Sequence, residues 1–145
     1  MGRVSEEGFK VLLVDDEVDF LTPLVKRLRR RRVESTGVDS AEEALQKLDR
    51  DRYDVVILDV RMPGMGGIEA LREMKKRHPL VEVIMLTGHA DVEVAIEGME
   101  LGAFDYLMKP MEIDDLVYKI QDAYKKKSIQ DAKIKNLKRE MEPAE

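Results

Sequence analysis

Three consecutive acids, Asp15, Asp16 and Glu17, follow directly on the apolar run "VLLV". Like charges so close repel one another and raise each other's pKa unless a cation sits among them. The same arrangement recurs along the chain: Asp59 follows "DVVIL", Thr87 follows "VEVIML", and Lys109, just before Pro110, follows "FDYLM". Each strong apolar run therefore ends in a carboxylate, a hydroxyl or an ammonium. If the runs are parallel strands about 4.8 Å apart, Asp15, Asp16 and Asp59 converge on one crevice. A hard divalent cation with oxygen ligands relieves their repulsion. Magnesium, which keeps waters and leaves room for a substrate phosphate, suits the set. Lys109 would neutralise phosphoryl oxygens, Thr87 would donate a hydrogen bond to them, and a carboxylate free to attack phosphorus would form an acyl phosphate. Taken singly, Asp16 reads equally well as a cap of the following helix, and Asp59 as the start of a turn.

The elements that must position these residues alternate in type. Strand patterns end at Val14, Leu58, Leu86 and Met108, with a weaker one, "RVEST", around Val33. Between them lie amphipathic helix patterns: Phe20, Leu21, Leu24 and Leu28; Ala41, Ala44, Leu45 and Leu48, with Ser40 and Glu43 spaced as a capping box; Ile68, Leu71 and Met74; Val92, Ala95, Ile96 and Met99. Pro79 stops the third by His78, and Leu101-Gly102 ends the fourth. A fifth begins near Glu112 and meets no breaker until Pro143. Five strands alternating with five helices predict an α/β fold: a doubly wound parallel sheet covered on both faces. The weak second strand belongs at an edge, giving the order 2-1-3-4-5. Ligands then bind at the carboxyl ends of strands one and three, where the winding reverses.

Composition narrows the rest. A chain of 145 residues is one ordinary domain, with room for an appendage. Its net charge of -5 and pI near 5.2 argue against direct binding of nucleic acid. The absence of cysteine excludes disulfides, thiolate metal sites and thiol nucleophiles. No apolar run is long enough to span a membrane, and "MGRVSEEGFK" lacks the core of a signal peptide, so the expected location is cytoplasmic.

"VDDE" at 14–17, "LDVRMPGM" at 58–65, "TGH" at 87–89 and "KP" at 109–110 stand in an order and spacing that resemble the receiver domain of two-component response regulators, a flavodoxin-like fold. The resemblance covers residues 8–126, leaving 127–145 as a helical extension or linker. It implies that Asp59 accepts a phosphoryl group from a phosphohistidine on a sensor histidine kinase. It implies that Asp16, Asp59 and the backbone carbonyl of Arg61 ligate magnesium, with Asp15 acting through bound water. It further implies that Lys109 contacts the phosphoryl group, that the Lys109–Pro110 bond is cis, and that Thr87 and Tyr106 form the switch that alters the surface of helix four, strand five and helix five. Such a protein is not a conventional enzyme, although it promotes its own phosphorylation and dephosphorylation. One departure is Gly66, where members commonly carry Asp or Asn, which leaves the start of the third helix without a side-chain cap.

Arg61 and His89 lie two residues beyond Asp59 and Thr87 and are placed to overhang the phosphoryl group and set its lifetime. "RMPGM" and "TGHAD" look most like receivers that precede an ATPase and a DNA-binding domain in transcriptional activators, so the chain is either a stand-alone regulator or a receiver with its linker. In the long last helix, Ile113, Leu116, Ile120, Ala123, Lys127, Gln130, Ile134, Leu137 and Met141 recur in steps of three and four, a heptad seam interrupted at Lys127 and Gln130. Its later members have nothing in their own domain to cover, which predicts a homodimer through this helix. Two rival readings fit less well. An aspartate-nucleophile phosphatase needs a second acid near Asp59, where Val60 and Arg61 stand; a flavin binder needs a glycine-rich loop where the acids are.

Overall fold

The computed structural model describes residues 9–62 and 65–141; the segment 1–8, Pro63, Gly64 and the segment 142–145, with Pro143, lie outside the described residues. Five strands, β1 (Val11–Val14), β2 (Ser35–Val38), β3 (Val55–Asp59), β4 (Glu82–Thr87) and β5 (Asp105–Met108), form one sheet in the order β2-β1-β3-β4-β5, every pair parallel. The expected order holds because hydrophobicity dictates it. Strands β1, β3 and β4 are buried along their whole length, as strands covered on both faces must be. The pleat divides the core in two. Leu12 and Val14 join a cluster with Ala44, Leu45, Leu48, Leu71 and Met74, whereas Val11 and Leu13 join one with Leu21, Leu24, Leu28, Leu116 and Ile120.

Helices α1 (Val18–Arg30) and α5 (Ile113–Met141) therefore cover one face, and α2 (Ala41–Arg50) and α3 (Gly67–Arg77) the other, with α4 (Val92–Glu100) beside α3. Ser40 caps α2 by accepting the Glu43 amide at 3.1 Å. Glu17, and not Asp16, takes the N-cap position of α1, without a side-chain bond. Gly66 caps α3 with extended backbone and no side-chain bond, and the helix nevertheless starts at Gly67, where an added Cβ would press into the Val60 backbone, 2.8 Å from its carbonyl oxygen. Gly102 ends α4 at φ +107°, a conformation that glycine tolerates without strain. The second strand lies later than "RVEST" suggests. Val33 is buried in the turn after α1, where its amide reaches back to Leu28, and pairing with β1 begins only at Ser35.

At the amino-terminal edge of the sheet the long helix is tied down by charge. Lys127, 7% exposed, reaches the fully buried Asp54 at 3.1 Å and Asp131 at 2.8 Å; Asp54 also accepts the Lys10 amide at 3.0 Å. Next to it Lys126 pairs with buried Glu82 at 3.2 Å. Burial pulls the Lys127 ammonium down, but the bonds to Asp131 and Asp54 outweigh it and hold its pKa above the usual lysine value. Packing of α5 on the sheet thus runs one turn beyond Ala123. Past Asp131, Leu137 and Met141 are exposed.

Candidate functional site

The carboxyl ends of β1, β3, β4 and β5 bring the expected residues to one rim. Asp59, the last residue of β3, is 6% exposed, and its Oδ1 accepts the Arg61 amide at 3.1 Å. Asp15, just past β1, is buried; its Oδ1 accepts the Glu17 amide at 2.9 Å and its Oδ2 the Lys109 ammonium at 2.9 Å. Lys109 also stands 3.4 Å from Glu17 and 3.6 Å from Asp59 Oδ2, and 4.2 Å from the centre of the Phe20 ring, a cation–π contact. The cleft between them, about 310 Å³, is lined by Asp16, Glu17, Asp59, Arg61, Thr87, Gly88, Asp91 and Lys109.

Charge is unbalanced here, and the pKa values record it. Burial, with the neighbouring Asp15 carboxylate, raises Asp59 to about 6 against the Arg61 amide and Lys109, which lower it. Burial pulls Lys109 down, but Asp15, Asp59 and Glu17 more than compensate, and its pKa lies above the ordinary lysine value. One ammonium does not neutralise the group. The oxygens of Asp15, Glu17 and Asp59 lie within 4.8 Å of one another, a donor set of hard anions that fits a magnesium-type ion. Asp16, half-buried, lines the same cleft, while the exposed Glu17, 3.4 Å from Lys109, stands in the cluster of oxygens where Asp16 was expected.

Thr87 is buried at the end of β4 and donates a long bond, 3.4 Å, to the Leu107 carbonyl. It forms a wall shared by the acidic cleft and a second, largely apolar cavity of about 260 Å³ bounded by Val92, Ala95, Ile96, Met99, Tyr106 and Met108. Tyr106 is 44% exposed. The Lys109–Pro110 bond is cis, as the sequence resemblance implied. His89, in the 3-10 turn His89–Asp91, is exposed and does not line the cleft. Two residues of the site were not expected. Glu17 joins the metal-type cluster, and Asp91, 5% exposed, accepts the Arg61 guanidinium at 2.5 Å. The hydrogen bond from Arg61 holds the Asp91 carboxyl below the usual carboxylate range. The available signal was the opposite charge of two residues on loops that leave adjacent strands, Arg61 after β3 and Asp91 after β4.

The model of the response regulator receiver domain matches residues 11–121. The DNA-binding transcriptional regulator NtrC of Klebsiella pneumoniae is 39% identical over 72% of this chain and 22% of its own length. Among solved structures, a response regulator receiver domain protein from Clostridium thermocellum superposes with a TM-score of 0.80 at 38% identity, covering 83% of this chain and 98% of that one. A chain described as adenylate cyclase from Rhodopirellula baltica superposes with a TM-score of 0.85 at 33% identity, covering 89% and 96%. The chain spans about a quarter of the length of the curated relatives it matches.

Proposed function

Since the chain belongs to the response regulator receiver domain family, we propose that it is a phosphorylation-dependent switch whose acceptor is Asp59. An ionised Asp59 oxygen attacks the phosphorus of a phosphohistidine on a sensor histidine kinase. The P–N bond breaks, the electron pair leaves with the imidazole, and an acyl phosphate forms on Asp59. Asp15, Asp16 and Asp59, with the Arg61 carbonyl, would hold magnesium, and Glu17 is near enough to assist. When bound, that ion offsets the charge of the phosphoryl oxygens and of the acceptor. Lys109 moves from Asp15 toward the phosphoryl group and neutralises it there. Arg61, which lines the cleft, sets the lifetime of the acyl phosphate by controlling the approach of water, without His89, which is exposed and does not line it. The observation that carries the assignment is Asp59 itself: a buried strand-end carboxylate 3.6 Å from an ammonium, opening on a cleft and raised toward neutrality.

The signal passes through Thr87 and Tyr106. The Thr87 hydroxyl leaves its long bond to Leu107 for the phosphoryl group, and Tyr106 turns into the apolar cavity beside it, changing the face formed by α4, β5 and α5. The receiver occupies 8–126 and the extension 127–145, and the exposed Leu137 and Met141 support a homodimer through α5. The output is regulation of transcription in the cytoplasm, with no direct contact to nucleic acid by residues 1–145; no helix among the described residues is long and apolar enough to cross a membrane. Incubation with acetyl phosphate and magnesium tests the reading. Mass spectrometry should locate the label on Asp59, and equal labelling of Asp59→Asn would refute the assignment.

A further inference from the structure

The two oxygens of Asp91 are committed to two different loops. Oδ1 accepts the Arg61 Nε at 2.5 Å, and Oδ2 accepts the Gly88 amide at 3.0 Å. Arg61 is held twice as well, since its own amide donates to Asp59 Oδ1 at 3.1 Å. A continuous chain of bonds thus runs from the acceptor carboxylate through Arg61 to Asp91, and from Asp91 to the residue after Thr87. Asp91 is also the N-cap of α4. The clasp therefore joins the loop after β3, the loop after β4 and the start of α4.

We propose that Asp91 is a positioning residue for the phosphorylation cycle: it holds the Arg61 guanidinium on the β4–α4 turn while Asp59 is unmodified and yields it to the phosphoryl group when Asp59 carries one. The inference rests on Asp59 being the acceptor. The charges of the cleft favour the exchange. Asp15, Asp16, Glu17, Asp59 and Asp91 stand there against Lys109 and Arg61, and Lys109 is already engaged by Asp15. A phosphoryl group adds further negative charge a short distance from Arg61. The guanidinium fork matches phosphate oxygens, and the Arg61 side chain is 68% exposed and so free to swing. Once Arg61 leaves, Asp91 retains, among the described residues, the Gly88 amide, and the turn that leads from Thr87 into α4 loses this tie to the acceptor loop. Occupancy of Asp59 is thereby felt at α4 through a second route, separate from Thr87.

The exchange can be followed by NMR with beryllofluoride and magnesium as the phosphoryl mimic, in the wild type, Asp91→Asn, Arg61→Gln and the double variant. Asp91→Asn keeps an oxygen for the Gly88 amide and removes the charge that competes for Arg61. Its beryllofluoride affinity should rise about 3- to 10-fold, the scale of a partly exposed ion pair, and the gain should vanish when Arg61 is also replaced. In the wild type the Arg61 Nε and Gly88 amide resonances should move together on beryllofluoride binding. Before any addition, Asp91→Asn should already show the Arg61 Nε proton exchanging freely with water. Arg61→Gln, at an exposed position, provides an independent arm: it should lower beryllofluoride affinity and shift the Gly88 amide in the free protein. Equal affinity in Asp91→Asn and the wild type, or a gain that persists without Arg61, would overturn the clasp. A wild type that binds no beryllofluoride at all would overturn the acceptor assignment along with it.

Discussion

Buried charges sit at both ends of this sheet, and they differ in balance. At the amino-terminal edge, Asp54 meets Lys127 and Glu82 meets Lys126, carboxylate against ammonium, at 3.1 and 3.2 Å. At the carboxyl-terminal edge, buried Asp15 and Asp59 and the exposed Glu17 share a single ammonium, Lys109, among the described residues. The basal pairs lock a helix onto the strands. The apical group is left with negative charge that it cannot neutralise, beside an open cleft, and the raised pKa of Asp59 is the sign of that deficit. Burial of an acid alone does not mark a site; burial with too few cations and an opening does. Glu82 stands between the cases, because Oε1 finds no hydrogen-bond partner among the described residues while Oε2 is paired.

The comparison breaks most sharply when one acid is removed at each end. Asp59→Asn should reduce acetyl phosphate labelling on the order of 100-fold or more, because the nucleophile is gone, whereas Asp54→Ala should leave it within about twofold, since distant sites act independently. Stability should respond in the opposite sense. Asp54→Ala leaves Lys127 buried with Asp131 as its remaining partner and should cost about 3 kcal/mol, the lower end of the range for a broken buried pair, read from the urea midpoint.

The next effect depends on pH. Folding raises Asp59 from an ordinary 3.8 to about 6, so the folded state binds its proton more tightly than the unfolded chain does. That stabilisation is complete below about pH 4 and is lost as pH rises through 6. In metal-free solution Asp59→Asn should therefore be more stable than the wild type by roughly 2–3 kcal/mol at pH 8, with the gap closing below pH 4. Magnesium should narrow the gap at pH 8 by stabilising only the wild type. Denaturant titrations across that range, with and without magnesium, read both; a gap independent of pH would place the deficit elsewhere.

The smallest expected effect concerns the N-cap of α3 at the apical rim. A Cβ at Gly66 meets nothing within 4 Å, and its backbone is already extended as an N-cap requires. Gly66→Asp should add a few tenths of a kcal/mol, visible as a melting temperature about 1–3 °C higher.

Much of this was legible in the sequence. The continuous apolar runs of β1, β3 and β4 disclosed the sheet and its order, and the polar residue after each run disclosed the rim. Local patterns failed where distant charge decided the outcome. Lys127 reads as a polar break in a heptad seam, yet it is buried because Asp54, 73 positions earlier, waits beneath it. Asp91 reads as an ordinary turn acid until Arg61 is seen across from it. The second strand was placed three residues early at its start and two at its end because Val33, apolar and buried, belongs to the turn after α1, while the strand itself contains Gly37 and a threonine.

The 29-residue helix α5 makes the protein a lever. Its last charged tie to the sheet region among the described residues is the Lys127–Asp54 pair, and from Lys127 to Met141 it rises about 21 Å at 1.5 Å per residue. A tilt of roughly 5° about that fulcrum sweeps the far end through roughly 2 Å. A rearrangement near α5 too small to change the packing of the core would therefore reach whatever follows Met141 as a displacement of bond-length scale. The stiffness of the basal ion pairs sets how much of that swing is transmitted and how much is lost in bending.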